Sequence, residues 1–117
     1  MPDSGDAVTL EFRGARTITR RPTVVVTSAT YHQNRPDIVV GILTTNVDAA
    51  TTPTDHVLRD WRAAGLRQPA AFRCYLNTVL PIDVQVIGQV SPSDWQSIRV
   101  CLSRAFGLPE PLSLAGS

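Results

Sequence analysis

Apolar and polar residues alternate from Ala7 to Phe12, with Val8, Leu10 and Phe12 on one side, which is the period of a half-buried strand. Gly14 to Arg20 then reads as a basic loop. A second strand is expected after Pro22, where Val24 and Val26 oppose Thr23, Val25 and Thr27. Ser28 to Asp37 carries the turn formers Asn34 and Pro36 and leads into a strand over Ile38 to Thr45, apolar on both faces and therefore central. Asn46 to Pro53 is a polar connection and Thr54 to Leu58 a short strand. Asp60 to Leu66 suggests a single helical turn or a compact loop. Ala71 to Tyr75, Thr78 to Leu80 and Val84 to Val90 read as strands, interrupted at Pro81 and with Gly88 as a bulge candidate. The connections are too short for helical crossovers, so the sheet is expected to be mostly antiparallel.

One helix is well signalled. Ser91 can cap it, Pro92 occupies its first position, Asp94 completes a Ser-x-x-Asp box, and Gly107 follows its last periodic residue. Trp95, Ile98, Cys101, Leu102 and Ala105, with Phe106 nearby, form the apolar stripe that must pack on the sheet. Trp61 and Trp95 are expected in the core or at an interface. Two prolines and small residues mark 109–117 as a frayed tail, leaving 1–108 as the single domain. No repeat or low-complexity tract is present.

The chain has 117 residues, 43% of them hydrophobic and 18% charged, and so is expected to support one hydrophobic core without staples. Its formal charge of +1 gives little bulk attraction for nucleic acid, but the distribution is uneven. Between Glu11 and Asp37 there is no acidic residue, while Arg13, Arg16, Arg20, Arg21 and Arg35 all fall there, giving the first third a local positive field. All eleven basic residues are arginine, whose planar fork grips a phosphate with two hydrogen bonds as lysine cannot.

Cys74 and Cys101 lack metal-ligand spacing, and only His32 and His56 could join them, so neither a metal site nor any other cofactor is expected. No apolar stretch approaches the roughly 18 residues that span a bilayer, and the N-terminus lacks a secretory pattern. The expectation is a cytoplasmic protein with free thiols and no membrane partner.

Several segments, taken in order, carry a family likeness. They are Gly5-Asp6, Arg21-Pro22 followed by Thr-Val-Val-Val, Tyr31, Ile42-Leu43-Thr44-Thr45, Leu76-Asn77-Thr78-Val79, and Ile87-Gly88-Gln89-Val90-Ser91 leading to a helix that closes on Gly107-Leu108. From Arg21 to Leu108 the chain resembles the PemK/MazF family of toxin ribonucleases. The resemblance implies a mainly β (α+β) fold, a small SH3-like or CcdB-like antiparallel β-barrel with a C-terminal helix, acting as a homodimer. It further implies a metal-independent endoribonuclease that cuts single-stranded RNA at short sequences and is restrained by a cognate antitoxin.

By the same resemblance the catalytic pair falls on Arg21 and Thr44. Arg20, Tyr31, Thr45, Asn46, Asn77 and Thr78 are the expected RNA contacts, through nearness to that pair in sequence, through the late matching strand or, for Tyr31, through base stacking. Three features depart from the family pattern: a short loop at 14–20, Asn77 where many relatives carry a basic residue, and Leu80-Pro81-Ile82-Asp83 in place of a polar segment. The general base is not identified by the pattern. Imidazoles titrate near neutrality, so His32 and His56 would serve if the fold made them converge. Two alternatives remain: a CcdB-like gyrase poison, and a catalytically silent SH3-like binding module.

Overall fold

In a computed structural model describing residues 2–13 and 15–111, the chain forms β1 (Asp6–Arg13), β2 (Ile18–Val25), α1 (Ala29–Asn34), β3 (Ile38–Thr44), β4 (His56–Val57), β5 (Ala71–Val79), β6 (Val84–Gln89) and α2 (Pro92–Phe106). The strands make one antiparallel sheet in the order β4-β5-β3-β2-β1-β6, with β3 inside it as its two apolar faces require.

Adjacent residues of β2 point to opposite faces, and both faces are apolar. Val24 packs with Ala7, Leu43, Phe72, Ile98 and Cys101 under α2. Val25 packs with Val8, Leu10, Ile38 and Val40 on the other side. That second cluster is enclosed because the sheet curls. Three strands separate β5 from β6, about 19 Å in a flat sheet at ~4.8 Å per strand spacing. The link from Val79 to Val84 could reach at most roughly 17 Å even if fully extended, and it contains a 3-10 turn at Pro81–Asp83. Val79 and Val84 accordingly pack against the inner cluster.

The curl stops short of a closed barrel: β4 and β6 are edges that do not pair with each other. The compact turn after Leu58 bridges them instead, and its backbone approaches β6 so closely that a Cβ on Gly65 would lie 2.1 Å from the Ile87 carbonyl oxygen. A Cβ on Gly88 would likewise meet the Ala64 oxygen at 2.3 Å. Gly88 flanks the register shift between β1 and β6, as expected of a bulge.

Several boundaries differ from the expectations. β2 begins at Ile18, so Arg20, Arg21 and Pro22 are strand residues and the loop is shorter; Gly14 lies outside the described residues. Ser28 to Asp37 contains α1, capped by Ser28 Oγ accepting from Tyr31 N–H at 3.3 Å. No α1 residue is buried, so no apolar period announced it. The two strands expected at 71–80 are one, β5, which runs unbroken through Leu76 and Asn77; its register shift, at Cys74 and Tyr75, falls inside the first of the expected strands.

Helix α2 keeps its signalled ends: Ser91 Oγ accepts from Asp94 N–H at 3.1 Å, and Gly107 closes it in the left-handed region (φ +66°). Only half of the capping box forms, because the Asp94 carboxylate turns away to β4 and the bridging turn. There it accepts from His56 Nε2 at 2.8 Å and from the N–H groups of Arg59 and Asp60 at 3.0 and 2.9 Å. Ile98 and Cys101 are buried, Trp61, Trp95 and Leu102 pack beside them, and Phe106, in the last turn, is 60% exposed. The tail expected from 109 is described only through Pro111, where Arg104 Nε donates to Glu110 Oε1 at 2.7 Å; 112–117 lie outside the described residues.

Candidate functional site

Strands β2 and β3 pair over only three positions, Thr23 with Ile42, Val24 with Gly41 and Val25 with Val40. Val26 N–H donates across this edge to the Val39 oxygen at 2.9 Å, so by alternation the nitrogen of Pro22 faces β3 as well. Proline has no hydrogen to give, and the ladder ends beside it. Beyond that point β2 and β3 part around a hollow of about 1040 Å³, whose lining includes Arg21, Thr44, Arg73, Asp55 and Tyr75. Arg21 lies two residues before Thr23 on β2 and Thr44 two residues after Ile42 on β3, so by alternation both belong to the inner face of the curled sheet, and both line the hollow.

The hydroxyl and its neighbours are arranged to donate. Asn46 N–H donates to Thr44 Oγ1 at 3.1 Å, which occupies one lone pair and leaves the hydroxyl hydrogen for a ligand. Arg73, paired with Ile42 in the β3–β5 ladder, is on the same face as Thr44. Its Nε lies 3.7 Å from Asp55 Oδ1, while Asp55 Oδ2 accepts from Thr52 N–H and Oγ1 at 3.2 and 2.9 Å. Arg20, Arg21 and Arg73 border the hollow against the single carboxylate of Asp55, so its lining carries a positive excess suited to an anion. Among the described residues no group of three His, Cys, Asp or Glu side chains is placed to hold a metal.

The other residues named from sequence divide. Thr45 and Arg20 border the hollow, but Arg20 is committed to β1: its Nη2 donates to Thr9 Oγ1 at 3.1 Å and its Nη1 lies 3.5 Å from Glu11. Asn46 touches the site through its backbone. Tyr31 is at the opposite end of β3, where its hydroxyl donates to Asp37 Oδ2 at 2.5 Å, and Arg35 Nε also reaches Asp37. That hydrogen bond raises the Tyr31 pKa, aided by burial, and lowers that of Asp37. Asn77 and Thr78 pair with Val40 and Val39, further along β3 and outside the lining. Tyr31, Asn77 and Thr78 therefore do not join the Arg21–Thr44 constellation, because closeness in sequence or motif is not closeness along a strand.

The two histidines do not converge: His32 Nε2 is 2.6 Å from Thr27 Oγ1 beside α1, and His56 is held by Asp94. Burial would raise the pKa of Asp94, but the Arg59 amide, the His56 ring and the Asp60 amide together hold it below the usual carboxylate value. The thiols of Cys74 and Cys101 are free; burial first, then Cys74, pushes Cys101 up to about 11, and burial, then Asp55, raises Cys74.

Sequence reasoning passed over Arg73, Tyr75 and Asp55. The spacing of Arg73 and Tyr75 put both on one face of a strand, but only the pairing with β3 reveals that this face borders the hollow.

No protein-family model matches the chain, and no curated protein sequence does. Solved structures do match in fold. An endoribonuclease in complex with its cognate antitoxin from a mycobacterial species superimposes with a TM-score of 0.74 at 22% identity, over 95% of this chain and 100% of the other. MazE–MazF from Deinococcus radiodurans gives 0.74 at 17% identity over 92% and 98%. Mycobacterium tuberculosis toxin MazF-mt6 gives 0.71 at 20% identity over 89% and 98%. The chain thus has the MazF fold: a mainly β architecture of one antiparallel sheet and a C-terminal helix.

Proposed function

We propose that the chain is a PemK/MazF-type toxin of a toxin–antitoxin pair, a metal-independent endoribonuclease acting on single-stranded RNA as a homodimer. This reading is supported by the presence of Arg21 and Thr44 in the lining of one hollow, with an excess of arginine over carboxylate, in a MazF-fold protein. The proposed partners are single-stranded RNA, a second copy of the chain and a cognate antitoxin; structures of the same fold occur with antitoxins. No described helix is long and apolar enough to cross a membrane.

In the proposed reaction the 2′-hydroxyl of the substrate attacks the adjacent phosphorus in line. The P–O2′ bond forms, the P–O5′ bond breaks, the 2′ proton departs and the 5′ oxygen gains one, leaving a cyclic phosphate. The guanidinium of Arg21 grips two non-bridging oxygens as negative charge builds on them. Thr44 Oγ1, oriented by the Asn46 amide, donates to the same phosphoryl group. Donors fixed in advance at such a position are each worth on the order of 10²–10³ in rate. Guanidinium and hydroxyl groups thus supply charge stabilisation and orientation, the main demands of this step.

The test is cleavage of a long unstructured RNA by purified protein, with product ends mapped. Discrete cuts ending in 2′,3′-cyclic phosphate, undiminished by a chelator and reduced at least about 100-fold in Arg21→Ala and Thr44→Ala, are expected. Intact RNA with every preparation, or equal cleavage by Arg21→Ala, would reject the reading. Inhibition of gyrase in a supercoiling assay would then favour the CcdB-like alternative.

A further inference from the structure

Strand β5 carries two residues more than β3 needs. Its register passes from Gly41 opposite Leu76 to Ile42 opposite Arg73, so Cys74 and Tyr75 are surplus. An even surplus preserves the alternation of faces. Phe72, Cys74 and Leu76 face the core under α2, the first two packing in its cluster and Leu76 against the face of Gly41. Arg73 and Tyr75 face the other way, into the lining of the hollow that holds Arg21 and Thr44. Bulges of this kind re-aim side chains beside functional sites. Tyr75 is 66% exposed there, a large aromatic ring that the core does not bury.

Arg73 is held so that it can act on a ligand. The Asp55 side chain is 4% exposed and fixed by two hydrogen bonds from Thr52. It faces the Nε of Arg73 at 3.7 Å, too long for a strong ion pair, and so orients the guanidinium while leaving its outer Nη groups for an anion. Arginine and an exposed aromatic ring two residues apart on one face match the repeat of single-stranded nucleic acid, in which a charged phosphate alternates with a flat base.

Resting on the nuclease reading, we propose that Arg73 and Tyr75 form a nucleotide subsite beside the scissile linkage. Tyr75 stacks on a base next to the phosphate gripped by Arg21, Arg73 binds the phosphate of that neighbouring nucleotide, and Asp55 is its positioning residue. Stacking on a ring is tolerant of base identity, so this subsite supplies affinity and alignment rather than the reading of a particular letter.

Binding of two labelled oligonucleotides of equal length, measured by fluorescence anisotropy, tests it: an uncleavable 2′-deoxy oligonucleotide, and a fully abasic one with the same backbone. Wild-type protein should prefer the base-bearing strand. Tyr75→Ala should weaken that strand by about 5- to 150-fold and leave the abasic one unchanged. Tyr75→Phe, which keeps the ring, should retain wild-type affinity. Arg73→Ala should weaken both strands by the same factor and flatten the salt dependence by about one phosphate contact. The subsite is overturned if Tyr75→Ala binds the base-bearing strand as wild type does, if Tyr75→Phe is as weak as Tyr75→Ala, or if no strand binds. Cleavage of RNA is scored separately: this binding pattern with intact RNA rejects the nuclease and keeps the subsite, whereas cleavage by a Tyr75→Ala variant of undiminished affinity does the reverse.

Discussion

Asp94 is the residue whose loss should be felt furthest from the hollow. Its side chain is 1% exposed, and it gathers the ring of His56 on β4 and two amides of the turn bridging the open edges of the sheet, all from the first turn of α2. In Asp94→Ala, three donors that now meet a carboxylate at 2.8–3.0 Å lose their acceptor. Leaving three buried donors without their acceptor costs about 3–5 kcal/mol, at the lower part of the roughly 1–3 kcal/mol that each unsatisfied buried group costs. Domains of this size have roughly 5–15 kcal/mol in total, so the variant should be near the edge of folding. Urea unfolding at pH 7, followed by far-UV circular dichroism, should move to lower denaturant by about 1–5 M at a slope of ~1–3 kcal/mol per molar. The pKa of Asp94 is lowered in the folded state, so its contribution is fully present above the unfolded value near ~3.9 and is lost as pH falls through the folded value. The gap between wild type and Asp94→Asn should therefore be flat above about pH 5 and shrink below about pH 4. A shift in Asp94→Ala of under about 1 kcal/mol would refute the claim that this carboxylate clasps the helix to the sheet's open side.

Other expectations can be checked on the same material. Gly65→Ala meets both a positive φ of +83° and an oxygen 2.1 Å from the new Cβ, and should cost roughly 1–3 kcal/mol or more in urea unfolding. Gly107→Ala also meets a positive φ, +66°, but nothing within 4 Å, so it should cost only about 1 kcal/mol; an equal loss at both sites would mean that the turn does not press on β6. The Cys101 thiol is buried with its pKa pushed up to about 11, so in native protein at pH 8 it should react with a disulfide reagent far more slowly than in urea. Rapid native labelling of Cys101, read by peptide mapping, would contradict its placement.

Much of this fold was legible because its signals are local. The alternation over Ala7 to Phe12, the two-faced apolar run at Ile38 and the Ser91, Pro92 and Gly107 boundaries of α2 each follow from a few neighbouring residues. Where the signal was absent or misleading, the element was misread. Helix α1 buries nothing and shows no period, and Pro22 looked like a strand entry although β2 already runs four residues before it. The Asp94 box formed only halfway because its carboxylate accepts from His56 and from the amides of Arg59 and Asp60, partners 34 or more residues away that no local motif announces.

The sequence by itself determined most of the strands and the C-terminal helix, and singled out a guanidinium and a hydroxyl, Arg21 and Thr44, on two of those strands, since propensity and period act over a few residues. Tertiary structure alone decided which charges share the hollow. Arg73 and Tyr75 joined it, while Asn77 and Thr78 fell further along β3, through the register between β3 and β5 and the two surplus residues within it; Tyr31, on α1, was drawn to Asp37 instead. Register is set by which apolar faces are buried across the whole sheet, a sum over distant pairs that no short window of sequence contains.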